Sequence, residues 1–508
     1  MKAETTKVLL PRTVLETGID KDIEFEGSLA DYLPGINRII RTEANLLPEE
    51  IELNGSKAEL KGKAVFSLLY ESDYKGKLKN EKFTVNFNQK FDVGELPKGE
   101  NFASVSCRCS HVSCKTLNPR KFILRCRGDI RLCVSADAEA EVVATSSDSG
   151  AFYKTDTVSL SGKLPPLRKD FNVEESFNFE GATSISEIIY SHIKLIPESI
   201  EFSDGNAVIK FNGSYKCLYE EEGEEYKTTL ATRKLSTSVT IEDDSISANS
   251  AGWAELIYDG CEAIKEQDNY GENRIVSVSA GIGVILHCYN SNETELPVDM
   301  YFEDYDCETR EGQFRYENVK TLPKHKFALE KAFEIPELPF DSCIDKESEI
   351  SVSEITKEGE YFQIKGNCSV NVLGEKDGSF FTHDLSFPYS VELSNESASN
   401  EMKLKAQPNI LSTDVHINNG RMNVKVNAEL YLESREKSTV QCLSGAEITK
   451  KDEGGDRKAI IVYYPDKGES AWEIGKRFNI SPDNVLEANG TVFDKTNSVA
   501  DSGTVLFI

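Results

Sequence analysis

Tryptophan, histidine and long apolar runs are scarce in this sequence, and each shortage removes a class of function. Only two tryptophans and six histidines occur in 508 residues. The histidines, His111, His192, His287, His325, His383 and His416, are scattered, and none forms the His-Glu-x-x-His pair of a catalytic zinc site. There is no Gly-x-Ser-x-Gly elbow and no Gly-rich loop ending in Gly-Lys-Ser/Thr, so acyl transfer and nucleotide hydrolysis have no recognisable apparatus. The reading is a non-enzymatic chain without a cofactor. The greasiest stretches, AVFSLLY and AIIVYYP, are strand length, far short of the ~18 residues of a spanning helix. The opening MKAETTKVLLPRTVLETGID has no continuous apolar core of the export-signal kind. A soluble, cytoplasmic protein is expected.

Basic charge is also in deficit. Lys plus Arg number 58 against 86 Asp plus Glu, a net charge of −28, which repels nucleic acid and anionic membrane surfaces. Carboxylates are so common that a pair of them carries no information. The run EEEGEE at 220–225 reads as a solvated hairpin loop, since it lacks the ligand spacing of a calcium site.

Twelve cysteines are present. The densest group, Cys107, Cys109, Cys114, Cys126 and Cys133 beside His111, does not form the two close ligand pairs that tetrahedral zinc requires. Cys107 and Cys109, two apart on a strand, share one face and suit core packing. The thiols are expected to be reduced, and no metal site is assigned.

Length sets a prior of three to four domains, and internal similarity refines it. LPEEIELNGSKAELKGKAVFSLLY at 47–70 returns as IPESIEFSDGNAVIKFNGSYKCLY at 196–219 and, more weakly, as ISVSEITKEGEYFQIKGNCSVNVL at 350–373. Gly62, Gly213 and Gly366 read as equivalent. A second anchor, headed by Lys121, Arg274 and Arg421, follows each copy in the same order. Both anchors alternate with period two and are flanked by Asn-Gly and Asp-Gly turns. The expected architecture is mainly β: three tandem antiparallel β-sandwich or barrel-like repeats at 1–150, 151–322 and 323–448, with a short helix near SLADYLPGI. A linker at 449–457 then leads to a small α+β module, strand–helix–helix–strand, at 458–508.

In that tail Ser470 caps a helix with Glu473 three residues on, and Ala471, Ile474, Gly475 and Phe478 form one apolar face. Ser481, Pro482 and Gly490 start and stop a second helix. Trp472 lies one position off the apolar face, where packing and partner contact are both open. Ile461 and Tyr463 read as strand packing.

The tail resembles a LysM module through Gly468, Trp472, Ile474, Ser481, Pro482, Asn489, Gly503, Leu506 and Ile508, and departs from it at Glu469, Ser470, Ala471 and Ser502. The resemblance implies a shallow site between Gly468, Glu469, Ser470 with Trp472 and the loop Asn489, Gly490, Thr491. Upstream, VSCRCSHVSCKTLNPRKFILRCRGDIRL and ELKGKAVFSLLY look like the domain of clostridial spore-coat proteins that was formerly of unknown function. Repeated copies followed by LysM resemble the clostridial spore-coat morphogenetic proteins that are counterparts of stage VI sporulation protein D. That family implies a mother-cell protein, recruited to the forespore surface, that binds the coat-basement ATPase, stage IV sporulation protein A, through its LysM module, with other coat proteins as further partners. The alternative is a protein that grips peptidoglycan or another N-acetylglucosamine polymer in the cell wall or cortex.

Overall fold

The computed structural model describes residues 2–146, 150–178, 184–223, 227–335, 337–340, 342–394, 402–418, 420–451, 462–489, 492–494 and 506–507. Antiparallel strands dominate, and no sheet closes on itself among the described residues. The expected barrels are therefore open sheets, packed face to face.

The first block runs β1 (Thr5–Ser28), β2 (Ile36–Asn54), β3 (Lys57–Ser72), β4 (Leu78–Asp92), β5 (Gly99–Asn118) and β6 (Lys121–Val143). Its sheets are β2-β3-β4 and β1-β6-β5. Alternation explains why they pack: Ala58, Leu60, Ala64, Phe66, Leu68 and Tyr70 of β3 face inward, as do Phe122, Leu124, Cys126, Ile130, Leu132 and Val134 of β6. Each large side chain buried there contributes about 1.5–3 kcal/mol. Cys107, Cys109 and Cys114 pack at the margin of this core, and all twelve thiols are free.

The second block holds β7 (Ala151–Lys163), β8 (Leu167–Asn178), β9 (Ile185–Ser203), β10 (Asn206–Glu221), β11 (Thr228–Glu242), β12 (Ala251–Gln267) and β13 (Asn273–Phe302). The third holds β14 (Tyr305–Glu334), β15 (Ser342–Glu358), β16 (Tyr361–Lys376), β17 (Ser379–Ser394), β18 (Lys403–Asn418) and β19 (Arg421–Lys450). In the second, β11-β10-β9 packs on the sheet of β12, β13 and β8; in the third, β15-β16-β17 packs on β14-β19-β18. Lys121, Arg274 and Arg421 lie at the starts of β6, β13 and β19.

Several expectations need correction. The division at 322/323 fails because β14 passes through it, with a register shift between Leu322 and His325 that lets Pro323 sit in a strand without a ladder donor. Residues 305–322 pair with the end of β19, and so do not belong to the second block. Thr449 and Lys450 are strand, not linker, and 452–457 lie outside the described residues. SLADYLPGI forms a turn rather than a helix. Gly213 stands closer to Leu218 than Gly62 and Gly366 stand to Leu69 and Leu373, so the three glycines are not ladder equivalents. Within the acidic run, Glu220 is buried on β10 and pairs with Lys77 at 2.7 Å; Glu224 and Glu225 lie outside the described residues.

The blocks meet head to tail. β4 lies on β9, β11 on β15, and β17 returns to β2. Lys79 pairs with Glu187, Arg38 donates to the Phe380 carbonyl at 2.7 Å, and Thr382 donates to the Ile40 carbonyl at 3.0 Å. At their junction Leu69, Leu218 and Leu373, one per block, are fully buried together with Ile40 and Ile189. Opposite these leucines on the neighbouring strands stand Arg41, Tyr190 and Asp345. Arg41 reaches Asp345 at 3.1 Å, Lys216 reaches it at 2.9 Å, and the Tyr190 hydroxyl donates to it. Asp345 is 1% exposed. Burial alone would hold it protonated, but Lys216 and Arg41 outweigh burial and lower its pKa to about 2.

The far ends of β1 and β6, of β7 and β13, and of β14 and β19 form two-stranded arms that pack together. Val142, Leu296, Val440 and Cys442 fill one layer between them, and Val143, Met300, Phe302, Leu443 and Ala446 another. The start of the chain is stitched to the last arm: Ala3 donates to the Ala446 carbonyl at 2.9 Å, and the backbone of Lys2 pairs antiparallel with that of Glu447.

Candidate functional site

The tail folds as β20 (Val462–Tyr463), α1 (Ala471–Phe478), α2 (Pro482–Asn489) and β21 (Leu506–Phe507), in strand–helix–helix–strand order. Its helices begin where their capping chemistry places them. Ser470 accepts from the Glu473 N–H at 3.2 Å while Glu473 accepts from the Ser470 N–H at 2.8 Å, satisfying donors that the first turn leaves open. The Ser470 N–H and hydroxyl, both donating to the Glu473 carboxylate, hold it below its ordinary range. Ala471, Ile474 and Gly475 are buried as expected, and Phe478 packs edge-on against Tyr463 at 5.1 Å. On α2, Ser481 accepts from Asp483 at 3.2 Å, and Asn489 is buried, donating to the Val485 carbonyl at 3.0 Å.

The residues of the expected binding loops have differing fates. Gly468 supplies a left-handed turn, φ 86°, and a Cβ there would meet nothing. Glu469 turns inward: it accepts from the Tyr463 hydroxyl at 2.9 Å and pairs with Arg477 at 3.1 Å, leaving its side chain 9% exposed. Burial and that carboxylate raise the Tyr463 pKa. The Ser470 hydroxyl is committed to the cap. Gly490 and Thr491, with Ile461, Ser502, Gly503 and Ile508, lie outside the described residues, so the second loop is represented by Asn489 alone.

Trp472 contacts the body of the protein. Its indole N–H donates to Asp299 of β13 at 2.9 Å, and its ring meets Tyr301 edge-on at 4.9 Å. Lys476, one turn on, pairs with the other Asp299 oxygen at 2.6 Å. Between them sits Gly475, where a Cβ would lie 2.5 Å from the Tyr301 hydroxyl oxygen; that hydroxyl donates to the Ile480 carbonyl at 2.8 Å. The sequence offered no signal for Asp299 or Tyr301 as partners, since PVDMYF reads as one more strand end. Among the described residues, the large apolar side chains that the tail leaves exposed are Val462 and Tyr464, 52% and 65% exposed. No cluster of three or more metal-ligating side chains occurs among the described residues. No helix there is long and apolar enough to cross a membrane.

Comparison with curated proteins and with solved structures gave no match. The stretch that builds β2, β3, β4 and nearly all of β5, residues 35–117, matches the family model described as SipL, SPOCS domain, and that match supports a sporulation-related family for this chain.

Proposed function

We propose that the chain is a non-enzymatic adaptor of spore-coat assembly: three related β-units form a rigid body, and a LysM-like tail engages the coat-basement ATPase, stage IV sporulation protein A, at the forespore surface of the mother cell. The observation that carries this reading is the SPOCS-domain match at residues 35–117. The shared layout of the blocks, each a three-stranded sheet on a second sheet with a paired arm, supports three related units. The strand–helix–helix–strand order of the tail supports the LysM likeness. A body with many faces and a separate tail also suits an adaptor, because several weak contacts on one chain raise effective concentration. The excess of 28 negative charges keeps such a chain dispersed before recruitment.

The test is capture of the full chain, and of a chain ending at residue 451, on the coat ATPase and on insoluble peptidoglycan. Capture on the ATPase that disappears with the tail supports the adaptor. Capture on peptidoglycan alone supports the glycan reading instead.

A further inference from the structure

We propose that the tail is latched to the body through Asp299, and that the latch covers the Trp472 face until a partner or a change of conditions opens it. The inference deepens the adaptor reading and rests on it for the partner's identity, while the latch itself rests on contacts within this chain.

Asp299 uses both carboxylate oxygens on the tail, one for the Trp472 indole N–H at 2.9 Å and one for the Lys476 ammonium at 2.6 Å. It lies where β13 shifts register against β7, between Pro297 and Asp299, an irregularity of the kind that re-aims a side chain. Tyr301, two residues on and so on the same face of the strand, adds its ring to Trp472 and its hydroxyl to the Ile480 carbonyl. The approach depends on Gly475, since any side chain there would strike Tyr301. Two side chains of β13, Asp299 and Tyr301, thus meet Trp472, Gly475 and Lys476 on one face of α1, and the other half of that strand lies in the second block's core. The contact is polar, small and partly open to water, with the Lys476 and Asp299 side chains 45% and 25% exposed. Such a contact orders a module without holding it irreversibly. A large aromatic at the edge of a module is a frequent anchor for protein contacts, and here the body occupies it. Capture through this face therefore competes with the latch.

The experiment uses the full chain with Trp253→Phe, so that Trp472 is the sole indole reporter. Asp299→Ala should raise acrylamide quenching of Trp472 and shift its emission to the red, corresponding to a five- to thirtyfold fall in the latched-to-free ratio. Lys476→Ala should give a smaller change in the same direction. In a capture assay on the coat ATPase, Asp299→Ala should bind more tightly than the parent by a similar factor. Unchanged quenching in Asp299→Ala overturns the latch whatever the capture assay shows. Raised quenching with unchanged capture overturns the competition. If neither protein is captured, the choice of partner is wrong, and the latch stands or falls on quenching alone.

Discussion

Replacing Asp345 by asparagine keeps the shape of the three-block junction and removes its central negative charge, leaving Arg41 and Lys216 buried without that counter-ion. The size of the effect follows from the carboxyl's own titration. An ordinary aspartate titrates near 3.9, and Asp345 is held at about 2. A gap of nearly two units is worth about 2–3 kcal/mol of stability at neutral pH, near the low end of the ~3–5 kcal/mol expected when one member of a buried pair is removed. For a cooperative unit of about 150–250 residues, where each kcal/mol moves the midpoint by about 2–4 °C, the variant should melt about 5–10 °C below the parent at pH 7. The sign of the pH dependence is fixed too. Because the folded-state pKa lies below the unfolded one, this contribution is present above pH ~4 and disappears as pH falls toward about 2. The gap between parent and variant should therefore close across that window, as read by calorimetry or circular dichroism. A midpoint at pH 7 within 1 °C of the parent, or a gap that does not narrow in acid, would refute the reasoning.

Other outcomes are expected at other sites. Leu218→Ala, in the fully buried layer shared by the blocks, should cost about 3 kcal/mol in urea unfolding; a loss below about 1 kcal/mol would mean that the junction collapses to fill the space. Ser470→Ala should remove about 1 kcal/mol from the tail, seen as an earlier Trp472 fluorescence transition in a Trp253→Phe background, and an unmoved transition would count against the cap. Thiol titration should label few cysteines in the native protein, Cys109 first among them because its hydrogen bond with Cys126 lowers its pKa; half are buried, and burial raises Cys107 and Cys288 to about 12. All twelve should react in denaturant, and a shortfall there would reveal disulfides.

Much of the body was legible from period-two alternation in the two anchors, and Phe66, Tyr215 and Val370, which lie within the first anchor of each copy, are buried in the structure. The three similar segments end in LLY, CLY and NVL, and one leucine from each ending has the same physical role. Leu69, Leu218 and Leu373 face away from their own block's core, yet all are buried, because at that point both strand faces meet protein. The arms were not legible: in the arm of β14 and β19, from Leu322 paired with Leu432 to Tyr305 paired with Lys450, partners lie more than a hundred positions apart, and alternation within a strand says nothing about its partner. The tail's caps were readable because capping is local. Its docking was not, because Asp299 and Trp472 are brought together only by tertiary structure.

The stitch between Ala3 and Ala446 means that the order of the blocks along the chain is not what holds them in place. Each block touches the next, and the last touches the first, so the body can be cut open elsewhere and rejoined without losing a contact between sheets. A circular permutant opened at Glu303, between β13 and β14, with residue 451 joined to residue 2 through a short flexible loop, should fold to the same body. Exposed junctions of this kind tolerate such rearrangement. The tail could then be attached at a different corner, which turns its position from a consequence of chain order into a variable that can be designed.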